Sequence, residues 1–307
     1  MIDILLATYN GEKYLKQQLD SILAQNVDCW HLYIKDDCSS DSTLSIAKSY
    51  ESKYPDKITV INCDVASGSA KANFLSLLKY SSSRYIMFCD QDDVWLPDKI
   101  STTLKAMQEN ESDSDLPILI HTDLTVVDDR LNTLHSSFIK FQGLNSEANT
   151  LNRLLVQNNV TGCTVMINRT LLNFAADIDP DKILMHDWWF GLIASAFGKI
   201  VFIDKPTILY RQHSNNQLGA VNNRSIKGSL KIVLARLNTK KRISATFSQA
   251  QYFFDKYVSL LNDSNQKLLK TFLVIQTKPK FKRFFYLLKH KFLKQNLLTA
   301  IGQLIFC

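Results

Sequence analysis

The stretch Met87-Phe88-Cys89-Asp90-Gln91-Asp92-Asp93-Val94-Trp95 decides how the chain is read. An apolar run from Tyr85 to Cys89 stops abruptly at the carboxylates Asp90, Asp92 and Asp93. A buried strand that empties into an acidic loop is suited to a hard divalent cation. Carboxylate oxygens favour Mg²⁺ or Mn²⁺, and Mg²⁺ in such sites keeps substrate phosphates among its ligands. The competing reading is a solvated acidic turn. An EF-hand is excluded, because the loop lacks both the Gly at its sixth position and the Glu at its twelfth.

Working back towards the N-terminus, the same strand-to-polar-loop pattern recurs. Ile2 to Ala7 is apolar except for Asp3 and ends at Thr8-Tyr9-Asn10-Gly11. Trp30 to Ile34 runs into Lys35-Asp36-Asp37-Cys38-Ser39-Ser40-Asp41. Ile58 to Asn62 is a third expected strand, and Arg84 to Cys89 a fourth. Between them, Glu12 to Gln25 places Tyr14, Leu15, Leu19, Ile22 and Leu23 at helical spacing. Ser40 or Asp41 can cap a helix reaching about Tyr50, and Gly68 to Tyr80 reads as another. Alternating β and α with short links predicts parallel strands, right-handed crossovers and helices on both faces. Ligands in such sheets bind beyond the carboxyl ends of the strands. Thr8–Asn10, Asp36–Asp37 and Asp90–Asp93 all fall there.

Further on, a helix opens at Leu96-Pro97-Asp98 and runs to about Glu109. Leu116 to Val127 contains a strand, and Arg130 to Asn149 is weakly patterned, as a mobile flap or acceptor loop would be. Leu151 to Val156 reads as helical, Val160 to Ile167 as a turn into a strand, and Met185 to Phe197 as a buried helix. Ile200–Ile203 and Thr207–Tyr210 read as two strands. After Gly219 four basic amphipathic helices are expected: Ile226–Leu237, Ile243–Leu261, Gln266–Ile275 and Phe281–Leu298.

The chain of 307 residues, 46 % hydrophobic, suffices for one large domain or a domain with an appendage. No GxGxxG and no GxxxxGK[ST] occurs, so a dinucleotide fold or a P-loop has no support. Cysteines 29, 38, 63, 89, 163 and 307 show no CxxC or CxxH spacing and read as reduced thiols of a cytosolic protein. Met1-Ile2-Asp3-Ile4 enters a strand directly, so no cleavable leader is expected, and no apolar run is long enough to span a membrane. The net charge of +7 hides a division. From Ser225 onwards there are 16 Lys and Arg against 2 Asp and Glu, a net of +14; the preceding 224 residues carry 20 against 27, a net of −7. A basic, aromatic-rich tail on an acidic body points to an anionic partner. Lys278 to Lys294 interleaves bases with Phe and Leu, which suits an in-plane helix on an anionic membrane. A helical bundle for self-association remains the alternative. No nucleic-acid-binding module is recognisable.

Ala7-Thr8-Tyr9-Asn10-Gly11, Asp36-Asp37-x-Ser39-x-Asp41, Asp90-x-Asp92-Asp93 and His186-Asp187-Trp188-Trp189, in this order, resemble the family 2 glycosyltransferases. The wording from Cys89 to Trp95 and Tyr210-Arg211-Gln212-His213-Ser214-Asn215-Asn216 is most similar to bacterial rhamnosyltransferases that build O-antigen or capsular polysaccharide. The resemblance covers about Met1 to Gly219. It implies a type-A glycosyltransferase fold: a mixed, mostly parallel sheet between helices over residues 1–219, with a basic helical region over 220–307.

It also implies a metal-dependent, inverting transfer of a sugar from a nucleoside diphosphate to a hydroxyl of a lipid-linked saccharide. The expected donor is dTDP-rhamnose, with a UDP-hexose as the alternative. Carboxylates of Asp92 or Asp93 would hold Mg²⁺ or Mn²⁺ against the leaving diphosphate, with His213 reaching back to metal or diphosphate and Arg211 as a further diphosphate contact. Thr8, Tyr9, Asn10 and Glu12 would line the nucleoside pocket, with Asp37 accepting the base imide N–H and Asp90 holding the loop or the ribose. Ser67 and Lys71 would approach the donor. Asp187 would be the general base, since an acceptor hydroxyl is a poor nucleophile near pH 7. Of Trp188 and Trp189, one would stack on an acceptor sugar and the other belong to the core. Such an enzyme would sit on the cytosolic face of the membrane, and self-association is compatible with it. The rival of another class is a non-catalytic scaffold in a polysaccharide assembly complex.

Overall fold

Seven residues, Ile2–Thr8, form the central strand β1, and all but Ala7 are buried. Such a run can exist only with both faces of the strand covered. Its single acid, Asp3, is satisfied by Ser81 Oγ, Ser83 Oγ and the N–H groups of Ser82 and Ser83, so the charge costs the core little. The computed structural model describes residues 1–63, 65–111, 115–213 and 229–306.

The chain continues through α1 (Glu12–Leu23), β2 (Trp30–Asp36), α2 (Thr43–Lys53), β3 (Ile58–Ile61), α3 (Ala70–Leu77) and β4 (Tyr85–Cys89). The expected α/β alternation is therefore present. β1 pairs in parallel with β2 and β4, and β2 with β3. Register places Thr8 opposite Asp36 and Leu6 opposite Cys89, so the three polar turns after these strands share one sheet edge.

Next come β5 (Val94–Trp95), α4 (Lys99–Asn110), β6 (Ile118–Val127), β7 (Thr133–His135), α5 (Phe138–Gln142) and α6 (Leu151–Leu154). They are followed by β8 (Met166–Asn168), α7 (Arg169–Phe174), α8 (His186–Phe197) and β9 (Lys199–Arg211). The sheet order is β3-β2-β1-β4-β8-β6-β9-β5, with β7 beside β6. β8 runs antiparallel to β4 and β6, which makes the sheet mixed. The two strands expected between Ile200 and Tyr210 are one. Its ladder with β6 shifts register around Asp123, where Pro206 has no N–H to give. The weakly patterned 130–149 stretch contains β7 and α5. Asp123 pins α5 by accepting from Ser137 Oγ and from the N–H groups of Phe138 and Ile139.

The tail forms α9 (Ser229–Tyr257), α10 (Asp263–Val274), α11 (Lys280–Lys289) and α12 (Leu297–Phe306). Two helices expected between Ile226 and Leu261 merge into α9, because Asn238-Thr239-Lys240-Lys241-Arg242 contains no Gly or Pro to break it. Residues 226–228 of the first of them lie outside the described residues. Phe281–Leu298 is not one helix: α11 stops at Lys289, and Lys291 takes φ 55°. Phe247, Phe253, Tyr257, Phe272, Leu287 and Phe292 share one buried cluster with Leu5, Phe88 and Trp189, so the tail packs onto the same core as β1 and β4. Among the described residues no helix is long and apolar enough to cross a membrane.

Candidate active site

The loop after β1 is held by its neighbours before any ligand is considered. Gln91 reaches across from the acidic loop. Its amide donates to the Tyr9 carbonyl and accepts from the Tyr9 N–H, at 2.9 and 2.8 Å. A β-carbon at Gly11 would push that amide out of its place. Asn10, at φ 46°, gives its N–H to Ser39 Oγ and accepts from the Ser40 N–H. Thr8 is buried and donates its hydroxyl to Asp36, which also takes the Ser39 N–H and hydroxyl. Tyr9 is left 59 % exposed, its ring free to meet a ligand.

Glu12, expected among the donor contacts, has a different job. Its carboxylate accepts the Ser42 N–H just before α2, while Asp41 accepts the Glu12 N–H at the start of α1. Two neighbouring helices thus cap each other, as carboxylates at N-termini do. Asp37 is buried and accepts from the Ser67 N–H and hydroxyl, both at 2.6 Å, and from the Gly68 N–H at 3.1 Å. The expected donor contacts Asp37 and Ser67 are therefore bound to one another. Lys71 gives its ammonium to the Ile183 carbonyl, just ahead of α8.

The acidic loop is arranged differently. His213 Nε2 lies 2.8 Å from Asp92 Oδ2, so the late histidine does reach back to the carboxylates. Residues Ser214 to Asn216, which follow it in the motif, lie outside the described residues. Arg211, expected at the diphosphate, is buried instead. Its guanidinium donates to the carbonyls of Asp92 and Asp129 and to Gln17 Oε1, and stands over the Tyr14 ring at 4.4 Å. With its N–H on Asp93 Oδ1, it is a strut under the loop rather than a ligand contact.

Asp93 is fully buried, and among the described residues no hydrogen bond reaches its Oδ2. Asp90, Asp93 and Cys163 bring one ligand atom each within 4.8 Å of one another. Burial, then the charge of Asp92, pushes Asp90 up to about 7 and Asp93 well above the carboxylate range. Three clustered acids with an orphaned buried oxygen are the condition a cation would relieve. The atoms grouped there are two carboxylates and one thiol, with the Asp92–His213 pair beside them. The carboxylate oxygens suit Mn²⁺ or Mg²⁺, whereas burial keeps the Cys163 thiol protonated.

Asp187 lies in the first turn of α8, which Met185 precedes as N-cap, and its charge acts on Asp90. It accepts from the Trp188 N–H, from Asn158 Nδ2 at 3.2 Å and from the Gly162 N–H. Burial nonetheless raises it to about 6. Gly162 packs closely on α8: a β-carbon would lie 3.0 Å from His186 Nε2 and 3.4 Å from Asp187 Oδ2, so the imidazole would have to shift by a few tenths of an ångström. His186 packs among Phe74, Phe88 and Phe190, and burial drives its imidazole down to about 3, so it is neutral. Trp188 is partly exposed, its indole N–H on the Leu154 carbonyl. Trp189 is not available to an acceptor: it is fully buried and stacks on Tyr252 of α9.

Sequence reasoning missed Gln91, Asn158, Gly162 and Cys163. Gln91 lay inside the decisive motif, but its amide clamp depends on the distance between two loops. Gly162 and Cys163 belong to a segment legible only as a turn into a strand, and Asn158 falls in the link before it.

The model of glycosyl transferase family 2 matches residues 3–174. A dTDP-rhamnosyl transferase, RfbG of Shigella flexneri, is 32 % identical over 225 residues, covering 70 % of this chain and 74 % of that one. The UDP-Glc:alpha-D-GlcNAc-diphosphoundecaprenol beta-1,3-glucosyltransferase WfgD of Escherichia coli is 28 % identical, over 56 % of this chain and 62 % of its own length. Among solved structures, S. aureus TarS 1-349 in complex with UDP-GlcNAc superposes with a TM-score of 0.52 at 19 % identity, over 91 % of this chain and 82 % of that one.

Proposed function

The chain belongs to glycosyl transferase family 2 and is a transferase acting on a nucleotide sugar, and on that premise we propose that it moves rhamnose from dTDP-rhamnose to a hydroxyl of a lipid-linked saccharide, with inversion. The observation that carries the reaction is the closeness of Asp187 to the acidic loop, near enough for its charge to help raise the Asp90 carboxyl. The sugar assignment rests on the rhamnosyl transferase relative. A UDP-hexose is the second reading, favoured by the similarity to a UDP-Glc-dependent enzyme.

The exposed Tyr9 ring faces the nucleoside, with Asn10 shaping the turn beneath it and Asp37 taking the base N–H. Asp92, Asp93 and His213 would hold Mg²⁺ or Mn²⁺, which when bound supplies positive charge against the diphosphate. Asp90 lies beside them, towards the ribose. On the opposite side the acceptor hydroxyl attacks the anomeric carbon as the bond to the diphosphate breaks, and its proton passes to Asp187. Asn158 and Gly162 fix the Asp187 carboxylate, and burial brings its proton affinity close to working pH, where a general base is most effective. Trp188 stands at the rim of this acceptor side. Loading the protein with Mn²⁺ and a panel of nucleotide sugars tests the donor directly. dTDP-rhamnose should raise the melting temperature most, a ligand at 100 times its Kd adding about 2.7 kcal/mol. A UDP-hexose giving the larger shift would replace rhamnose.

The acceptor's lipid implies a surface, and α11 offers one. Phe281, Phe284, Phe285 and Leu288 are exposed on it, alongside Lys280, Lys282, Arg283 and Lys289. Apolar side chains among bases suit a helix lying on anionic lipid, each base adding about 1 kcal/mol. Changing Lys282, Arg283, Lys289 and Lys291 together to Gln should release the protein from anionic vesicles, as should added salt. Equal sedimentation of variant and parent would refute the membrane surface. A dimer that becomes monomeric would assign the face to a second copy.

A further inference from the structure

Two thiols stand together at the edge of the nucleotide side. Cys38 follows Asp37 directly and is exposed; Cys63 follows the end of β3 and is half-buried. Their Sγ atoms are 3.6 Å apart. The bond length of a disulfide is about 2.05 Å, so closing the gap needs about 1.5 Å of sulfur movement, within reach of side-chain rotation at an exposed site. Cys38 adopts φ 62°, a left-handed conformation that β-carbons disfavour, yet a thiol side chain is built there. The remaining described cysteines are placed otherwise: Cys89 and Cys163 are buried, and Cys29 has no thiol partner among the described residues.

We propose that Cys38 and Cys63 are a redox-modified pair whose reversible disulfide fixes the two loops that border Asp37, and so controls nucleoside diphosphate binding. This rests on the reading of Asp37 as the base acceptor. The chemistry balances with a peroxide as oxidant. One thiol attacks the peroxide, becomes a sulfenic acid and releases water. The second thiol attacks that sulfur, the S–S bond forms, and the hydroxyl leaves as a second water. Two electrons pass from the thiols to the peroxide. A dithiol reverses the bridge by exchange.

The consequence follows from what the two loops already do. Asp37 holds Ser67 and Gly68 through three hydrogen bonds. Cys38 is the next residue after Asp37, and Cys63 begins the segment that leads to Ser67. A base that needs an Asp37 oxygen has to share it with Ser67 or displace it. In the reduced protein the 65–68 segment can yield, since the side-chain contacts described for Cys63 are weak sulfur ones, its thiol on the Val65 carbonyl and the Cys38 thiol on its carbonyl and sulfur. A covalent tie between the loops removes that freedom and leaves Asp37 committed.

The test uses the full chain, reduced and then treated with hydrogen peroxide, its remaining thiols blocked before peptide mapping. A Cys38–Cys63 linked peptide that disappears on dithiol treatment is expected. Mn²⁺-supported binding of dTDP should weaken about tenfold on oxidation, the size of one lost hydrogen bond to a charged group, and recover on reduction. Cys63→Ser should bind dTDP as the reduced parent does, with or without peroxide. Oxidation that maps to other cysteines and leaves this pair unlinked overturns the proposal. A mapped bridge with unchanged dTDP affinity overturns its control of binding. Reduced protein that binds no nucleoside diphosphate would instead overturn the donor reading, while the peptide map alone decides whether the pair is a redox site.

Discussion

The nucleotide side of the sheet edge and the acidic side differ in how their polar groups are satisfied. After β1 and β2, nearly every such group already has a partner within the protein. Thr8 and Ser39 serve Asp36, Asn10 bridges to Ser39 and Ser40, Glu12 and Asp41 cap each other's helices, and Ser67 and Gly68 fill Asp37. After β4 and at the start of α8 the balance is reversed. Asp93 Oδ2 and both ring nitrogens of His186 are buried without hydrogen bonds among the described residues. Asp90 and Asp187 hold their protons to about 7 and about 6. The satisfied side holds its shape without a ligand, and a ligand that needs Asp37 has to share it with Ser67 or displace it. A cluster of uncompensated acids is unstable alone and is retained where charge from outside completes it. The contrast separates the part of the edge whose polar groups are satisfied within the protein from the part where the proposed chemistry lies.

The largest expected effect falls on the uncompensated side. Asp92→Asn keeps the shape but removes the charge beside His213, and should abolish turnover while leaving the circular dichroism spectrum and melting curve close to the parent's. Sugar transfer at the parental rate by this variant would break the comparison at its root. Asp187→Asn comes next. Transfer should fall by about 10²–10⁴ with donor affinity little changed, because the proton acceptor is lost and the donor contacts are not. A change confined to donor affinity would make Asp187 a binding residue.

A smaller effect follows from the raised carboxylic acid. As the proposed base Asp187 would work as its anion, and burial lifts it to about 6. Transfer should therefore be intact above that value and decline as pH falls through it, tenfold per unit well below. A profile flat down to pH 4 would remove Asp187 from the role. On the satisfied side the smallest effect on turnover is expected. Thr43 Oγ accepts the buried Gly11 N–H at 2.7 Å. Thr43→Val would strand that donor at about 1–3 kcal/mol of stability, read as a lower melting temperature with kcat nearly retained. A collapse of kcat without loss of stability would mean that this side takes part in the chemistry.

The same contrast explains what could be read in the sequence. The parallel half of the sheet was legible because Ile2–Thr8 and Tyr85–Cys89 are short apolar runs that stop at polar turns, and such runs have few other structures open to them. The meeting of His213 with Asp92 was legible only through the family resemblance, since 121 residues separate them. The assignments that changed were those where two uses of one residue type look alike in sequence. Arg211 could serve a diphosphate or brace a loop, and only its burial and its bonds to the Asp92 and Asp129 carbonyls decide. Glu12 could face a ligand or cap a helix, and the spacing of α1 and α2 decides. Trp189 turned inward because α9 supplies Tyr252 and Phe253 to pack on it, from more than fifty residues further along the chain.

The central claim is that the acids after β4 await a cation that brings a nucleoside diphosphate with it. Calorimetric titration of dTDP into the reduced, metal-stripped protein, with and without Mn²⁺, measures this most directly. The account predicts that binding is weak without the metal and tightens at least tenfold with it, and that Asp92→Asn loses this gain while Asp187→Asn keeps it. Equal affinity for dTDP in the presence and absence of Mn²⁺ would contradict it.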